Sequence, residues 1–411
     1  MKTHQSHLAF IGCASTVLLW LFACSNGHFP ADTIDDSFHV EGDYSFSNVA
    51  SASTQLGFKL LASLREREPG QNIFISPVSI SIALTMTYNG AVGETERAMA
   101  EVLEIEELDL STVNRSNAAL IQSLETHNPK VQLSIANSIW SRQGVEFSPE
   151  FLDRNRQFFE AQITSLDFVK PESPEIINGW VNTSTKGKIA KIVQRIDPQT
   201  LIFLINAIYF NGSWETRFER SETRNAIFHL EDGGEKQVRM MHREGEYLHF
   251  RGDIFEAVSL PYGDGRMSMY IFLPNRDSNL NEFLAGVSGT EWIRWRSQFR
   301  QVPRDSVIIL PRFKLEYEVK LNEALKALGM GIAFGAGADF RSMGPGLFIS
   351  EVRHKSFIEV NEEGTEAAAA TVVSGVRSLP SVFRADRPFF FAVYDQKTTT
   401  LLFLGIITEP M

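Results

Sequence analysis

The hydrophobic positions of this chain change period repeatedly. Between Phe46 and Leu64, Val49, Leu56, Leu60 and Leu64 recur at rough helical spacing and predict a helix. Asn72-Ile73-Phe74-Ile75 reads as a short strand, and Ser76-Pro77 then supplies an N-cap and first-turn proline for a helix to about Asn89. Gly90 and Gly93 interrupt it before a helix over Glu94–Leu103. Val131–Trp140 predicts a strand, Pro149–Phe159 a helix, Ile163–Phe168 a strand, and Ile176–Ile192 a helix weakened by Asn182 and Thr183. Leu201–Phe210 is almost unbroken apolar sequence, as in a central strand covered on both faces.

Strands follow at Val238–Phe250, Glu256–Leu260 and Met267–Leu273, with helices near Leu280–Phe283 and Trp292–Phe299. Val307–Leu315 predicts a strand, and Val319–Leu328 a helix stopped by Gly329. Ser356–Val360, Phe389–Tyr394 and Leu401–Ile407 complete the strands, which leaves His354 just ahead of one. No internal repeat and no Pro/Gly/Ser-rich linker divides residues 44–411. The class is therefore α+β, with large mixed or antiparallel sheets in a single large domain.

The first residues follow another logic. Lys2 is the only charge of residues 1–23, and Leu8 to Ala23 carry none. That apolar run is shorter than the roughly 20 residues of a spanning helix, so it reads as an export signal. Its end, Leu21-Phe22-Ala23-Cys24, resembles a bacterial lipobox, in which Cys24 would be lipidated and begin the mature chain. Residues 24–43 are acidic, with Asp32, Asp35, Asp36, Glu41 and Asp43, and suit a solvated tether. The expected location is the cell envelope or outer surface as a lipoprotein; secretion is the alternative.

Composition removes several classes of function. Of 411 residues, 43% are hydrophobic and 22% charged, a globular balance. The net charge is −11 and no basic run offsets it, so nucleic acid is not an expected partner. Cys13 and Cys24 are the only cysteines, so the body from Tyr44 onward carries no disulfide. There is no G-x-S-x-G, H-E-x-x-H or phosphate-cradling loop, and the nine histidines form no metal-ligand pair at helical spacing. No enzyme activity, cofactor or metal is expected. His354 reads as a buried hydrogen-bonding residue rather than a base, and Arg251-Gly252-Asp253 as turn material.

One segment stands apart: Glu362-Glu363-Gly364-Thr365-Glu366-Ala367-Ala368-Ala369-Ala370-Thr371-Val372-Val373. Its alanines favour a helix, whereas Gly364 and the closing β-branched residues oppose one. Taken alternately, Thr365, Ala367, Ala369, Thr371 and Val373 form a small, uncharged face. Such a face suits a strand that must leave solvent and slip between existing strands.

With these features the sequence strongly resembles the serpin family. The matching stretches are Asn72 to Ile80, Leu204 to Trp214, Pro311-Arg312-Phe313, Glu362 to Thr371 and Asp386-Arg387-Pro388-Phe389-Phe390-Phe391. The resemblance implies three β-sheets, eight or nine helices and an exposed reactive-centre loop from Gly364 to about Phe383. It also implies a suicide inhibitor of serine, and of some cysteine, endopeptidases. The protease would form an acyl-enzyme on the loop, which would then insert into the central sheet. It places Ser76, Ser79, Asn206 and His354 in a shutter beneath the opening strands. Glu362 and Arg312 become a hinge ion pair, and Trp214 a breach aromatic. Gly364, Thr365, Glu366, Ala367, Ala368, Ala369, Ala370 and Thr371 match the hinge of inhibitory members.

The same resemblance puts the reactive bond at Arg377-Ser378, which would give trypsin-like targets. Counting from the hinge favours Ser378 on the amino side, and counting back from Pro388 favours Arg377. Cleavage at Val376 or Ser378 would suit elastase- or subtilisin-like proteases instead. Helix 111–127 offers only Arg115 as a cation, so heparin activation is not expected. The partner is the target protease, and the chain is expected to be a monomer. A non-inhibitory carrier or chaperone is the alternative function.

Overall fold

The computed structural model describes residues 46–125, 128–302, 306–363 and 381–411, all within one compact unit, Tyr44–Met411. In order the chain forms α1 (Ser47–Arg67), β1 (Ile73–Ile75), α2 (Pro77–Tyr88), α3 (Gly93–Leu103), α4 (Leu110–Leu124), β2 (Val131–Arg142), α5 (Pro149–Phe159), β3 (Gln162–Leu166), α6 (Ser173–Ser184) and β4 (Ile202–Gly212). Next are β5 (Arg224–His229), β6 (Glu235–Glu244), β7 (Leu248–Arg251), β8 (Phe255–Tyr262), β9 (Met267–Pro274), α7 (Leu280–Ala285), α8 (Gly289–Arg296), β10 (Arg300–Gln301), β11 (Val307–Pro311) and β12 (Phe313–Lys320). The last elements are α9 (Asn322–Ala327), β13 (Ile349–Val360), β14 (Val382–Arg384), β15 (Phe389–Asp395) and β16 (Thr400–Ile407). Among the described residues these make three sheets and nine α-helices, the expected α+β architecture.

The largest sheet, ordered β1-β16-β15-β9-β8-β7-β10, is antiparallel throughout. A four-stranded sheet runs β14-β11-β6-β5, and a five-stranded one runs β12-β13-β4-β2-β3. Helix α2 lies between the large sheet, at β16, and the five-stranded sheet, at β4 and β2. All of its residues are buried, as befits a helix apolar all round. Ser76 caps it by accepting the Ser79 N–H at 3.3 Å, and Pro77 sits in its first turn. An aromatic stack crosses the same space: Phe74 lies face to face with Phe403 at 4.8 Å, and Phe403 meets Phe210 of β4 at 5.8 Å.

Strand β4 is buried on both faces, as its apolar run predicts. Ile202, Leu204, Ile208 and Phe210 enter the main core. Phe203, Ile205, Ala207 and Tyr209 point the other way, into a second core roofed by Ile177 and Val181 of α6 and by Ile189, Ile192 and Val193 after it. Asn206 alone breaks the first row.

Several expected boundaries are corrected. The helix expected to reach Ile192 ends at Ser184, because Lys186 and Gly187 take positive φ (51° and 80°). The segment beyond is tied down by Asn178, whose side chain bonds the Ile192 and Val193 N–H groups (2.9 Å each) and the Val193 carbonyl (2.7 Å). The strand expected over Val238–Phe250 is broken at Gly245 (φ 142°) into β6 and β7. Val307–Leu315 is two strands in different sheets, parted at Arg312 after Pro311, which has no N–H to continue a ladder. Val319 lies in β12 rather than in a helix, and α9 starts at Asn322. β5 escaped the periodic reading. Val382 and Phe383, expected within the loop, belong to β14, which pairs parallel with β11. Residues 1–45 and 364–380 lie outside the described residues, and with them the signal, Cys24, the tether, Gly364 to Thr371, Arg377 and Ser378.

A methyl group on Gly405 would stand 2.2 and 2.3 Å from ring carbons of Phe391, its register partner. That ring cannot retreat easily, since Phe74 and Phe313 lie against it at 5.7 and 5.4 Å. Gly405→Ala should therefore destabilise the native state by about 1–3 kcal/mol. A denaturant midpoint equal to or above that of the parent chain would contradict this packing argument.

Candidate functional site: a parallel seam, a buried polar row and a clamp

In the five-stranded sheet β13 runs parallel to β4, while β12 is antiparallel to β13 and β2 antiparallel to β4. A segment leaving the end of β13 and turning back would therefore run antiparallel to both β13 and β4. The seam between these two strands is the one place where such a segment gains two antiparallel ladders by parting one parallel pair.

A polar row crosses this seam. Asn137 of β2, Asn206 of β4 and His354 of β13 are register partners. His354 Nε2 accepts the Ser76 N–H at 3.3 Å, which leaves the proton on Nδ1 to be donated to Asn206 Oδ1. The Asn206 amide donates to Asn137 Oδ1 and to Ser79, whose carbonyl is 3.1 Å away and whose hydroxyl it also meets. Ser356, two residues on along β13, donates to the Phe74 carbonyl at 2.5 Å. The row thus fastens three strands to the N-terminus of α2 and to β1. His354 is fully buried, and burial pulls its imidazole pKa down to about 3. It is neutral at physiological pH and acts as a hydrogen-bonding link, as expected, although from the middle of a strand rather than ahead of one.

A clamp closes the end of β13. Glu362 is 2% exposed, and its Oε1 receives Arg312 Nη2 at 2.5 Å, Arg312 Nε at 2.7 Å and the Thr223 hydroxyl. Burial alone would raise this carboxyl's pKa; the Arg312 and Thr223 hydrogen bonds outweigh it and hold the group below the usual range. The Glu362 carbonyl accepts the Phe218 N–H at 3.1 Å, and Glu363 pairs with Arg220. Trp214 donates its indole N–H to the Asn361 carbonyl at 2.9 Å and stacks on Tyr262 at 4.3 Å.

The structure thus brings Ser76, Ser79, Asn206 and His354 together in one place, and Trp214, Arg312 and Glu362 in another. Asn137, Ser356, Thr223, Arg220 and Tyr262 also take part, and the sequence reading missed them. Asn137 and Ser356 gave no periodic signal; only strand register reveals them. Among the described residues no group of histidine, cysteine or carboxylate side chains could hold a metal, and no helix is long and apolar enough to cross a membrane.

A family model described as Serpin (serine protease inhibitor) matches residues 51–410, and the chain belongs to the serpin family. It is 34% identical over 379 residues to the leukocyte elastase inhibitor of Sus scrofa, covering 88% of this chain and 99% of that one. Among solved structures it is similar to the thermophilic serpin Tengpin in the native state, with TM-score 0.80, 31% identity and coverage of 89% and 95%. It is also similar to human thyroxine-binding globulin complexed with thyroxine, with TM-score 0.83, 26% identity and coverage of 89% and 100%. The members of this family are generally protease inhibitors rather than enzymes.

The buried imidazole has a consequence for stability. Its pKa is lower in the folded state than in the unfolded state, so the unfolded chain takes up the proton first. Its contribution is complete above pH ~6.5 and is lost as pH falls toward about 3, at about 1.4 kcal/mol per pH unit. The stability difference between the parent and His354→Asn should therefore shrink by roughly that amount between pH 6 and 5. A difference that stays constant over this interval would show that His354 is not held neutral.

Proposed function

We propose that this chain is a suicide inhibitor of serine endopeptidases, acting by insertion of its cleaved loop between β13 and β4. The observation that carries this reading is the parallel β13–β4 pair, with β13 running directly into the small-residue segment that starts at Gly364. A protease serine would attack the carbonyl of Arg377, form an acyl-enzyme and release the amine of Ser378. Loop residues 364–377 would then become a strand antiparallel to both neighbours, with Thr365, Ala367, Ala369, Thr371 and Val373 on one face. Fourteen residues at about 3.3 Å each carry the attached protease roughly 46 Å. The added hydrogen bonds, at about 1 kcal/mol net apiece, amount to on the order of 10 kcal/mol. Distorting the protease's oxyanion hole would remove about 3 kcal/mol or more of transition-state stabilisation, so the ester would survive.

Arg377 suits a trypsin-like pocket. Likeness to the leukocyte elastase inhibitor supports a target that cuts at Val376 or Ser378 instead. The reading includes export through residues 1–23, attachment through Cys24 and a monomeric chain protecting the cell surface. A second reading, carriage of a small molecule, draws on the likeness to thyroxine-binding globulin complexed with thyroxine. The two part on one property: an inhibitor gains heat stability after loop cleavage, and a carrier that cannot insert its loop does not.

The test is to mix the purified chain with trypsin and, separately, with elastase. Denaturing gels and the mass of the released C-terminal peptide are then recorded. A gel-stable complex with trypsin and a peptide beginning at Ser378 is expected. Thr365→Arg, which must bury a charge early in insertion, should turn trapping into simple cleavage. Clean cleavage of the parent chain without a complex, and with no gain in melting temperature, would move the carrier reading to first place.

A further inference from the structure

Beyond β14 the chain gathers cations around one buried acid. Asp386 is 4% exposed. Its Oδ2 lies 2.8 Å from Arg276 Nη2 and 3.3 Å from Arg384 Nε, and its Oδ1 lies 3.1 Å from Arg387 Nη1. Arg387 is turned inward and also donates to the Pro274 carbonyl at 2.8 Å. Arg276 and Arg384 keep 66% and 42% of their side-chain surface in solvent. The other carboxylate that acts on Arg387 is Glu256, which is shared with His249 at 3.6 Å and Arg251 at 3.9 Å. Three guanidiniums thus converge on the one carboxylate of Asp386, on a chain whose net charge is −11. On the same strand, two residues before Arg384 and therefore on the same face, Val382 is 51% exposed. In register beneath the two lie the half-buried Val307 and Ile309 of β11.

From Arg276, Arg384 and Val382, the two arginines being held in place by Asp386, we infer a docking surface for the rim of the target protease, selective for proteases that are acidic there. The inference rests on the proposal that Arg377-Ser378 is the reactive bond. Val382 is four residues beyond Ser378, a reach of at most about 14 Å, and Arg384 is six beyond, at most about 22 Å. A stable protein interface covers about 800 Å² on each partner, a disc of about 16 Å radius. A protease seated on the bond therefore covers Val382 and has Arg384 at its margin. At physiological salt the Debye length is about 8 Å, so the net negative charge of the distant surface is screened while these arginines are not. Their effect falls on the rate of encounter rather than on the insertion that follows.

The experiment compares anionic and cationic trypsin, which share a preference for arginine and differ in the sign of their surface charge. The second-order rate of loop attack is measured at 0.15 M ionic strength as loss of intact full-length chain. This readout applies whether the product is a trapped complex or a cleaved chain, so failure of the trapping reading is seen separately, on gels. The parent chain should be attacked about three- to tenfold faster by the anionic enzyme. In the double variant Arg276→Gln, Arg384→Gln that preference should vanish, while the fraction of attacks ending in a gel-stable complex stays unchanged. Equal rates with the parent chain would overturn the inference. So would a preference that survives the double substitution, or a released peptide that does not begin at Ser378.

Discussion

Everything in the seam depends on Asn206. It is the single polar side chain on the core-facing side of β4, in a row otherwise made of Ile202, Leu204, Ile208 and Phe210. A buried amide without partners would cost several kcal/mol. Here it is satisfied from both flanks, by Asn137 of β2 and His354 of β13, and from above by Ser79. The satisfaction exists only while β13 and β4 are neighbours. A strand added between them would double their separation from about 4.8 Å to about 9.6 Å and break the His354–Asn206 bond. The row is therefore a contact that reports whether the sheet is closed, and α2 is built onto it, because Ser76 both caps that helix and bonds His354.

Two further attachments act on β13 at other points along its length. At its end, Glu362 is held by Arg312 and Thr223, eight residues beyond His354 and so about 26 Å away. On the opposite face of the sheet, Arg353 donates to the Ile192 carbonyl at 3.0 Å and Lys355 to that of Lys191 at 2.5 Å. The segment carrying those carbonyls packs its isoleucines in a core shared with Phe203, Ile205 and Ala207 of β4. It is bonded to one side of the seam and packed on the other. Opening the sheet thus disturbs a charged clamp at one end, a neutral polar row in the middle and a mixed polar and apolar strap on the outside. The neutrality of His354 matters in this arrangement, since a charged imidazole beside Asn206 would have no counter-ion.

Much of this was legible in the sequence, for local reasons. Ser76-Pro77 announces α2 because a cap and a first-turn proline are chemistry that neighbours cannot override. The unbroken run through Phe210 announces a strand with two dry faces. The reading failed where the cause is distant in sequence. Val307 to Leu315 is uniformly strand-like, yet the chain changes sheets here: the Arg312 N–H makes a last bond to the Arg239 carbonyl of β6 at 2.8 Å, and from Phe313 onward the partner is β13. The isoleucines of residues 189–196 keep helical spacing, yet Asn178 captures their backbone first. Asn137 sits in a strand where apolar and polar residues are already mixed, and nothing local sets it apart from a solvent-facing position. The clamp was found by resemblance through Glu362 and Arg312, whereas Thr223, the third donor, comes from a segment with no periodic signal.

The choice of contacts at the seam fits the proposed insertion. The body carries no cysteine, since the only two are Cys13 and Cys24, so no covalent link spans β13 and β4. An interlocked apolar seam would resist parting gradually, because dispersion contacts weaken over an ångström or so. Hydrogen bonds and a buried ion pair are lost over a similar distance, but they can be remade with new partners of the same type. A strand entering the seam brings its own N–H and carbonyl groups to the ladder faces of β4 and β13. These groups replace the parted backbone ladder between β4 and β13, whereas Asn206 and His354 must take new partners from side chains. A seam closed by hydrogen bonds alone is thus stable in the five-stranded state and can still be parted, whereas a disulfide there would hold the first state at the expense of the second.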